Sequence, residues 1–242
     1  IHAQFPKVQI LDSNSVPRTR SQAPDLLLTL GGDGTILEAT QRFQKWNPLI
    51  LGLNLGHVGF LASVRSHKNF IPAVGRVLSG DFKTTPHMLI RAIVRRKNKT
   101  VFSAYALTDV AIQNLSGLVD VQVLVDGHPV QYIHGTGVLV SSATGSTAYN
   151  LSAHGPIVMP DIKCFIITEL FDHNIPTPSL IIKRNRTITL TIEAFRKNNR
   201  FIIRKTGEVA DVILATDSER MIALVKGDSI VIKKSERLIR FV

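Results

Sequence analysis

Residues 25–61 read DLLLTLGGDGTILEATQRFQKWNPLILGLNLGHVGFL, and the fold of the first part of the chain follows from them. Asp25–Leu30 is a short apolar run stopped by Gly31-Gly32, the length and punctuation of a buried parallel strand. Over Thr35–Trp46, Ile36, Leu37, Ala39, Thr40 and Phe43 recur at spacings of three and four, the period of a helix with one covered face. Pro48 ends it, and Leu49–Leu53 is a second apolar run. Strand, glycine turn, helix and strand in this order make the βαβ unit of a parallel, helix-covered sheet. Phe70–Leu78 adds a further helical stretch.

Beyond Met88 the texture changes. Met88–Arg95, Phe102–Ile112, Asp120–Val125, Val138–Ser141, Phe165–Thr168, Leu180–Ile182, Thr187–Ile192, Val209–Leu214, Met221–Leu224 and Ser229–Lys233 are short and rich in Val, Ile, Thr and Phe. Asp126-Gly127 between two such runs is a hairpin signal. Many short strands with frequent turn residues predict an antiparallel sandwich. The expected fold class is therefore α/β followed by all-β, with the boundary near Asp81–His87.

The composition agrees. In 242 residues, 44% hydrophobic and 19% charged side chains supply a core and exclude a disordered tail. No apolar run reaches the roughly 18 residues of a membrane helix, so no membrane association is expected. Cys164 stands alone, which excludes a disulfide framework and a four-cysteine zinc site and fits a reducing compartment. The start of the chain lacks a secretory pattern, so a cytoplasmic location is expected. The net charge of +11 points to an anionic ligand. The cations fall in two clusters, Arg91, Arg95, Arg96, Lys97 and Lys99, then Arg196, Lys197, Arg200, Arg204 and Lys205, rather than in one block. With 6% aromatic residues there are few platforms for stacked bases, so a phosphate-rich small molecule is expected and nucleic acid is not.

Three segments carry chemistry. Gly31-Gly32-Asp33-Gly34-Thr35 sits at the carboxyl end of a strand, where ligands of open α/β sheets gather. Its glycines allow close backbone approach, and amides opening the helix can face phosphate oxygens. Asp33 puts a carboxylate into the same space, where it binds a metal or takes a hydroxyl proton; the plainer reading is a helix N-cap. In Asn54–Leu61, Gly56 and Gly59 again permit close approach at the same edge, with His57 able to meet a phosphate. There the plainer reading is a glycine loop plugged by Phe60 and Leu61. Thr144–Ser152, TGSTAYNLS, offers small residues, hydroxyls and Tyr149, either a ligand-binding loop or a capped turn. His87, His128, His154 and His173 show no metal-ligand spacing and read as core or surface residues.

Together these segments resemble the NAD kinase family, over roughly Asp25 to Arg237. GGDGT alone is shared with diacylglycerol-type and sphingosine-type lipid kinases and, in similar form, with phosphofructokinases. Joined to the NxGxxGFL-like loop and to TGSTAY in this order, it is specific. The resemblance implies a Rossmann-like βαβ nucleotide-binding domain over 1–85. A β-sandwich domain for NAD binding and oligomerisation would follow over 86–242, with roughly the last 12 residues free to pack back on the first domain. It implies transfer of the ATP γ-phosphoryl group, or that of polyphosphate, to the 2′-hydroxyl of the adenosine ribose of NAD, giving NADP.

Asp33 is similar to the family's catalytic base. By resemblance Gly32, Gly34 and Thr35 sit by the phosphates, with Mg²⁺ bridging ATP oxygens and no side-chain metal site. Asn54, Gly56 and Phe60 belong to the second loop, Phe60 flanking the substrate. Thr144, Thr147, Ala148, Tyr149 and Ser152 line the dinucleotide site. Thr108-Asp109 stands where the family carries Asn-Glu or Asn-Asp for ribose and adenine. His134 precedes Gly135-Thr136-Gly137, which replaces a family Gly-Asp-Gly on the nicotinamide side. Asp217-Ser218-Glu219 replaces Asp-Gly-Gln, and set against the family pattern the first strand and helix look abbreviated before Asp25. A homodimer or homotetramer with sites completed across subunits is implied. The departures keep two alternatives open, a GGDGT-type lipid kinase and a catalytically weak dinucleotide-binding paralogue.

Overall fold

The computed structural model describes residues 4–10, 17–56, 59–174, 177–198, 201–203 and 207–242. The chain divides into two compact units, Ile1–His87 with Arg237–Val242, and Met88–Glu236.

In the first unit, β1 (Leu26–Leu30) and β2 (Leu49–Leu53) pair in parallel, from Leu26 opposite Leu49 to Leu30 opposite Leu53. Helix α1 (Asp33–Phe43) connects them and passes into a 3₁₀ turn at Gln44–Trp46. It begins at Asp33, two residues before the apolar period starts, because Gly32 in extended backbone already accepts the amides of Thr35 and Ile36. Ile36, Thr40 and Phe43 form its buried stripe, and burying side chains such as Ile or Phe contributes roughly 1.5–3 kcal/mol each. The helix lies so close to the sheet that a Cβ on Gly52 would stand 2.8 Å from Ile36 Cδ1. Helix α2 (Phe70–Leu78) covers Leu51 and Leu53 with Ala73, Val74 and Val77. Arg240 and Phe241, at the end of the chain's last strand, add in parallel beside Leu49 and Ile50.

The second unit is two antiparallel-paired sheets. One runs β4 (Lys99–Ala106), β3 (Thr85–Arg96), β16 (Ser229–Phe241), β11 (Ile188–Phe195), β6 (Val119–Val125), β7 (His128–Gly135). The other runs β10 (Leu180–Lys183), β9 (Cys164–Leu170), β8 (Gly137–Ser142), β5 (Asp109–Asn114), β14 (Val212–Thr216), β15 (Arg220–Leu224). Their inner faces share one core, in which Val121, Val123, Leu190 and Ile232 meet Val110, Ile112, Val140 and Phe165. A small hairpin, β12 (Phe201–Ile203) with β13 (Glu208–Ala210), is a separate two-stranded sheet whose Ile203 and Ala210 pack against Ile213 and Ala223 of the second sheet.

Two expected strands are divided. Phe102–Ile112 breaks at Leu107-Thr108, whose amides bond to the Asp217 carboxylate instead of to a neighbouring strand. Val209–Leu214 breaks at Asp211, whose carbonyl accepts Leu115 N and whose carboxylate accepts Asn198 N. Strand β16 extends eight residues past its expected end at Lys233, to Phe241. The Asp126-Gly127 turn forms as read, both residues at positive φ (50° and 84°). No helix among the described residues is long and apolar enough to cross a membrane.

Candidate active-site loops

In the first unit the GGDGT and NxGxxGFL segments are tied to each other by one carboxylate. Asp33 is the first residue of α1, and its Oδ2 accepts Phe60 N at 2.8 Å while Oδ1 accepts Leu61 N at 3.1 Å. A carboxylate has about four lone-pair positions, so each oxygen keeps capacity for a further donor. Gly31 must lack a side chain, since a Cβ would fall 2.4 Å from Thr35 Oγ1. At Gly32 and Gly34, by contrast, a Cβ would meet nothing within 4 Å among the described residues, so both border open space at the helix N-terminus. Asn54 is buried and braces the second loop by accepting Gly56 N at 2.8 Å. Arg65, unmarked in the sequence reading, donates to Gly59 O at 2.8 Å. Phe60 is 59% exposed although its amide is fixed, so its ring is a presented aromatic and not a core plug. His57 lies outside the described residues.

In the second unit the relevant surface is the outer face of the β10–β15 sheet. Asp109, Ala111 and Gln113 alternate with the core residues Val110 and Ile112, and they stand beside Ser141, Leu139 and Gly137 of β8. Residues 143–158 fold over this face as a 3₁₀ turn (Thr144–Thr147) and one helical turn, α3 (Tyr149–Ser152), which is why β8 is buried on both sides. Gly145 carries the closest approach: its Cβ would lie 2.1 Å from Thr108 O. Ser142 donates its hydroxyl to Leu107 O, and Ser146 exchanges two hydrogen bonds with the backbone of Val158. Asn150, fully buried, donates to Ser146 O and Pro156 O and accepts from Thr168 Oγ1. Of the expected lining residues, Thr147, Ala148 and Tyr149 are half-open and Ser152 is exposed, whereas Thr144 is buried.

Thr108 and Asp109 are both buried beneath this loop. Thr108 donates its hydroxyl to Asp217 at 2.7 Å, and the same carboxylate accepts the amides of Leu107, Thr108 and Asp109. Burial first, and the Asp217 charge second, push the Asp109 carboxyl up to about 7; the Thr108 hydroxyl opposes them. Across the ladder, the Ser141 hydroxyl is buried with no hydrogen-bond partner among the described residues. Burial also pushes the Tyr149 phenol up, with Gln113 pulling it down and Asp109 adding to the rise.

The remaining expected positions are placed differently. His134 pairs with the Asp120 carboxylate, and Thr136 donates its hydroxyl to Leu170 O at 3.0 Å. His87 packs edge-on against Phe241. In the first basic cluster, Arg96 is committed to Asp228 by two bonds of 2.8–2.9 Å, and Arg91 lies over the Tyr105 ring. Arg200, Arg204 and Lys205 fall outside the described residues. Asp217, Gln113 and Asn150 escaped the reading of site residues. Asn150 had a signal in its place inside TGSTAYNLS and Asp217 in its place in the Asp217-Ser218-Glu219 match, whereas Gln113 had none.

The loops can be set beside known proteins. Residues 7–82 match the model of the ATP-NAD kinase N-terminal domain and residues 109–242 that of the ATP-NAD kinase C-terminal domain. An NAD kinase of Geobacter metallireducens is 34% identical over 229 residues, 93% of this chain and 76% of that one. An NAD kinase of Magnetococcus marinus is 32% identical, over 91% of this chain and 69% of that one. Among solved structures, yeast NADH kinase complexed with NADH aligns with a TM-score of 0.79 at 26% identity, over 90% of this chain; the chain spans 61% of that protein's length. An NAD kinase from Archaeoglobus fulgidus in complex with ATP aligns with a TM-score of 0.72 at 27% identity, over 90% and 77%.

Proposed function

The chain belongs to the ATP-NAD kinase family and is an NAD-phosphorylating kinase, and from that premise we propose how its own residues carry out the transfer. The γ-phosphoryl group of ATP passes to the 2′-hydroxyl of the adenosine ribose of NAD, giving NADP, with Asp33 accepting the hydroxyl proton. The observation that carries this assignment is the pair of amide bonds from Phe60 and Leu61 to the two Asp33 oxygens. They orient a carboxylate that keeps lone pairs for one more donor. Phosphoryl transfer passes through a loose transition state with little charge on the attacking oxygen, so positioning the hydroxyl matters more than a strong base.

Open space at Gly32 and Gly34 receives the phosphates against the first amides of α1, where the dipole favours negative charge. Thr35 lies in the same turn. The resemblance implies Mg²⁺ held with the nucleotide rather than by a dedicated side-chain cage. When bound, that ion would supply neutralisation of phosphate charge. Thr147, Ala148, Tyr149 and Ser152 offer the dinucleotide a partly open wall, and Asp109 beneath it accepts hydrogen bonds from ribose or base. Phe60 supplies an apolar flank. A cytoplasmic homodimer or homotetramer, with ATP or polyphosphate as donor, completes the reading.

The test is NADP formation from NAD, ATP and Mg²⁺, followed through a coupled dehydrogenase, with Asp33→Asn as control and thermal unfolding read beside it. The expected loss of turnover in the variant is about 10²–10⁴-fold. An unchanged rate removes Asp33 from the role of base. Tight NAD binding without turnover in the parent protein selects the weak paralogue instead.

A further inference from the structure

Gln113 belongs to none of the three loops, yet it reaches one of them. It lies on β5 on the same face as Asp109 and Ala111, half-buried, and donates from Nε2 to the Tyr149 hydroxyl at 2.6 Å. Its neighbour across the ladder is Gly137, which presents no side chain to obstruct the reach. Gly137 cannot be enlarged, because a Cβ there would stand 1.9 Å from Ile112 O. The aromatic body of Tyr149 packs against the cluster of Ala111, Leu139 and Leu170. Two attachments therefore hold this side chain, an apolar patch under the ring and one hydrogen bond at its tip.

We propose that Gln113 is a positioning residue for the dinucleotide, setting the Tyr149 ring across the Thr147–Ser152 wall and turning the phenol proton outward to a ligand oxygen or ring nitrogen. The logic is directional. A phenol oxygen that accepts from an amide N–H keeps its own O–H for a different acceptor. NAD offers such acceptors in its phosphates, ribose oxygens and bases, and Tyr149 would meet one of them with a donor aimed in advance. Pre-orientation of this kind is felt in binding more than in the chemical step. The raised phenol keeps that proton in place at neutral pH, since burial outweighs the downward pull of Gln113. The inference rests on the reading of Thr147–Ser152 as a dinucleotide wall.

The experiment compares Gln113→Met, Tyr149→Phe and the double variant. KM for NAD and kcat are measured, along with a spectrophotometric titration of the tyrosines. Tyr105, Tyr132 and Tyr149 are the chain's three tyrosines, so the Tyr149 signal is assigned by its loss in Tyr149→Phe. Gln113→Met matches the length and removes the donor. It is expected to raise KM for NAD by about three- to tenfold, the usual worth of one neutral hydrogen bond, with kcat changed less than about twofold. It also moves the Tyr149 titration to higher pH, and in the Tyr149→Phe background it adds nothing to KM. A Gln113→Met effect that persists undiminished in that background overturns the proposal, as does an unmoved titration. If Tyr149→Phe itself leaves KM for NAD unchanged, the placement of the dinucleotide fails and the proposal falls with it. That failure is recognisable, because the titration still reports the hydrogen bond.

Discussion

The Asp217 carboxylate holds Thr108 from two directions, accepting its backbone amide at 2.8 Å and its hydroxyl at 2.7 Å. Two residues far apart in sequence thereby end one strand and set the floor of the 143–158 loop, since Thr108 O is also the atom that Gly145 approaches. Removing the carboxylate leaves the amides of Leu107 and Thr108 buried without an acceptor. Asp217→Ala is therefore expected to cost about 2–4 kcal/mol, because each orphaned buried donor costs about 1–3 kcal/mol. Thr108→Val removes one donor and leaves the amide bonds in place, so it should cost less, about 0.5–1.5 kcal/mol. Urea unfolding of the three proteins checks the order, and equal losses would deny Asp217 its role as the organiser.

Asp109 makes the protein's response to pH specific. Its carboxyl is pushed up to about 7 by burial and by Asp217, against about 3.9 in the unfolded chain. Between those values the native state binds more protons than the unfolded state, so stability falls as pH rises from about 4 to 7 and levels off above. Asp109→Asn removes this slope. It should lie level with or below the parent near pH 4 and gain on it steadily toward pH 8, as read by denaturant midpoints.

The same titration governs binding if the charged form accepts from the ribose. KM for NAD then climbs as pH falls below about 7, approaching tenfold for each further unit, because the fraction charged drops by that factor. In Asp109→Asn the profile is flat and KM is high throughout. A parent protein with constant KM between about pH 6 and 8 would remove Asp109 from the contact.

The TGSTAYNLS loop owes its shape to Asn150, which fills a space that Gly155 leaves. A Cβ at Gly155 would stand 2.2 Å from Asn150 Oδ1 and 2.5 Å from Nδ2. Asn150 cannot yield, because its amide spans Ser146, Pro156 and Thr168. Gly155→Ala is expected to cost about 1–3 kcal/mol and to raise KM for NAD. Asn150→Ala alone also destabilises, yet the two changes together should cost less than their sum, since the second makes room for the first. Strict additivity in a double-mutant cycle would refute the coupling.

What could be read in advance was what local period encodes. The βαβ order from Leu26 to Leu53 and the Asp126-Gly127 turn stand in a few adjacent residues each, and the structure repeats them. The breaks inside 102–112 and 209–214 were invisible, because what makes them comes from distant points of the chain, Asp217 for the first and the Leu115 and Asn198 partners of Asp211 for the second. The same holds at the site. Asp33 was marked by its glycines, but its bonds to Phe60 and Leu61 depend on how the second loop returns. Tyr149 was marked by its motif, whereas Gln113 is an ordinary strand residue until the fold brings Tyr149 over it.

Gly34 and Gly59 separate what the fold needs from what the ligand needs. Among the described residues a Cβ on Gly34 meets nothing within 4 Å, and the residue lies in the first turn of α1. Alanine within a helix is favoured over glycine by about 0.5–1 kcal/mol. Gly34→Ala should therefore raise the melting temperature slightly and still raise KM for ATP, because its methyl occupies the space assigned to phosphate. Gly59 is the reverse case. Its Cβ would stand 2.8 Å from Asp33 Oδ1 and 3.3 Å from Asn54 Nδ2, so Gly59→Ala displaces the carboxylate from the two amides that orient it. Its expected signature is a fall in kcat of about tenfold or more with a small change in KM for NAD, since a misplaced base loses transition-state contacts before ground-state ones. Were Gly34→Ala to leave ATP kinetics untouched, the phosphates would have to lie elsewhere than the opening of α1. Were Gly59→Ala to keep full kcat, the orientation of Asp33 would not limit the transfer.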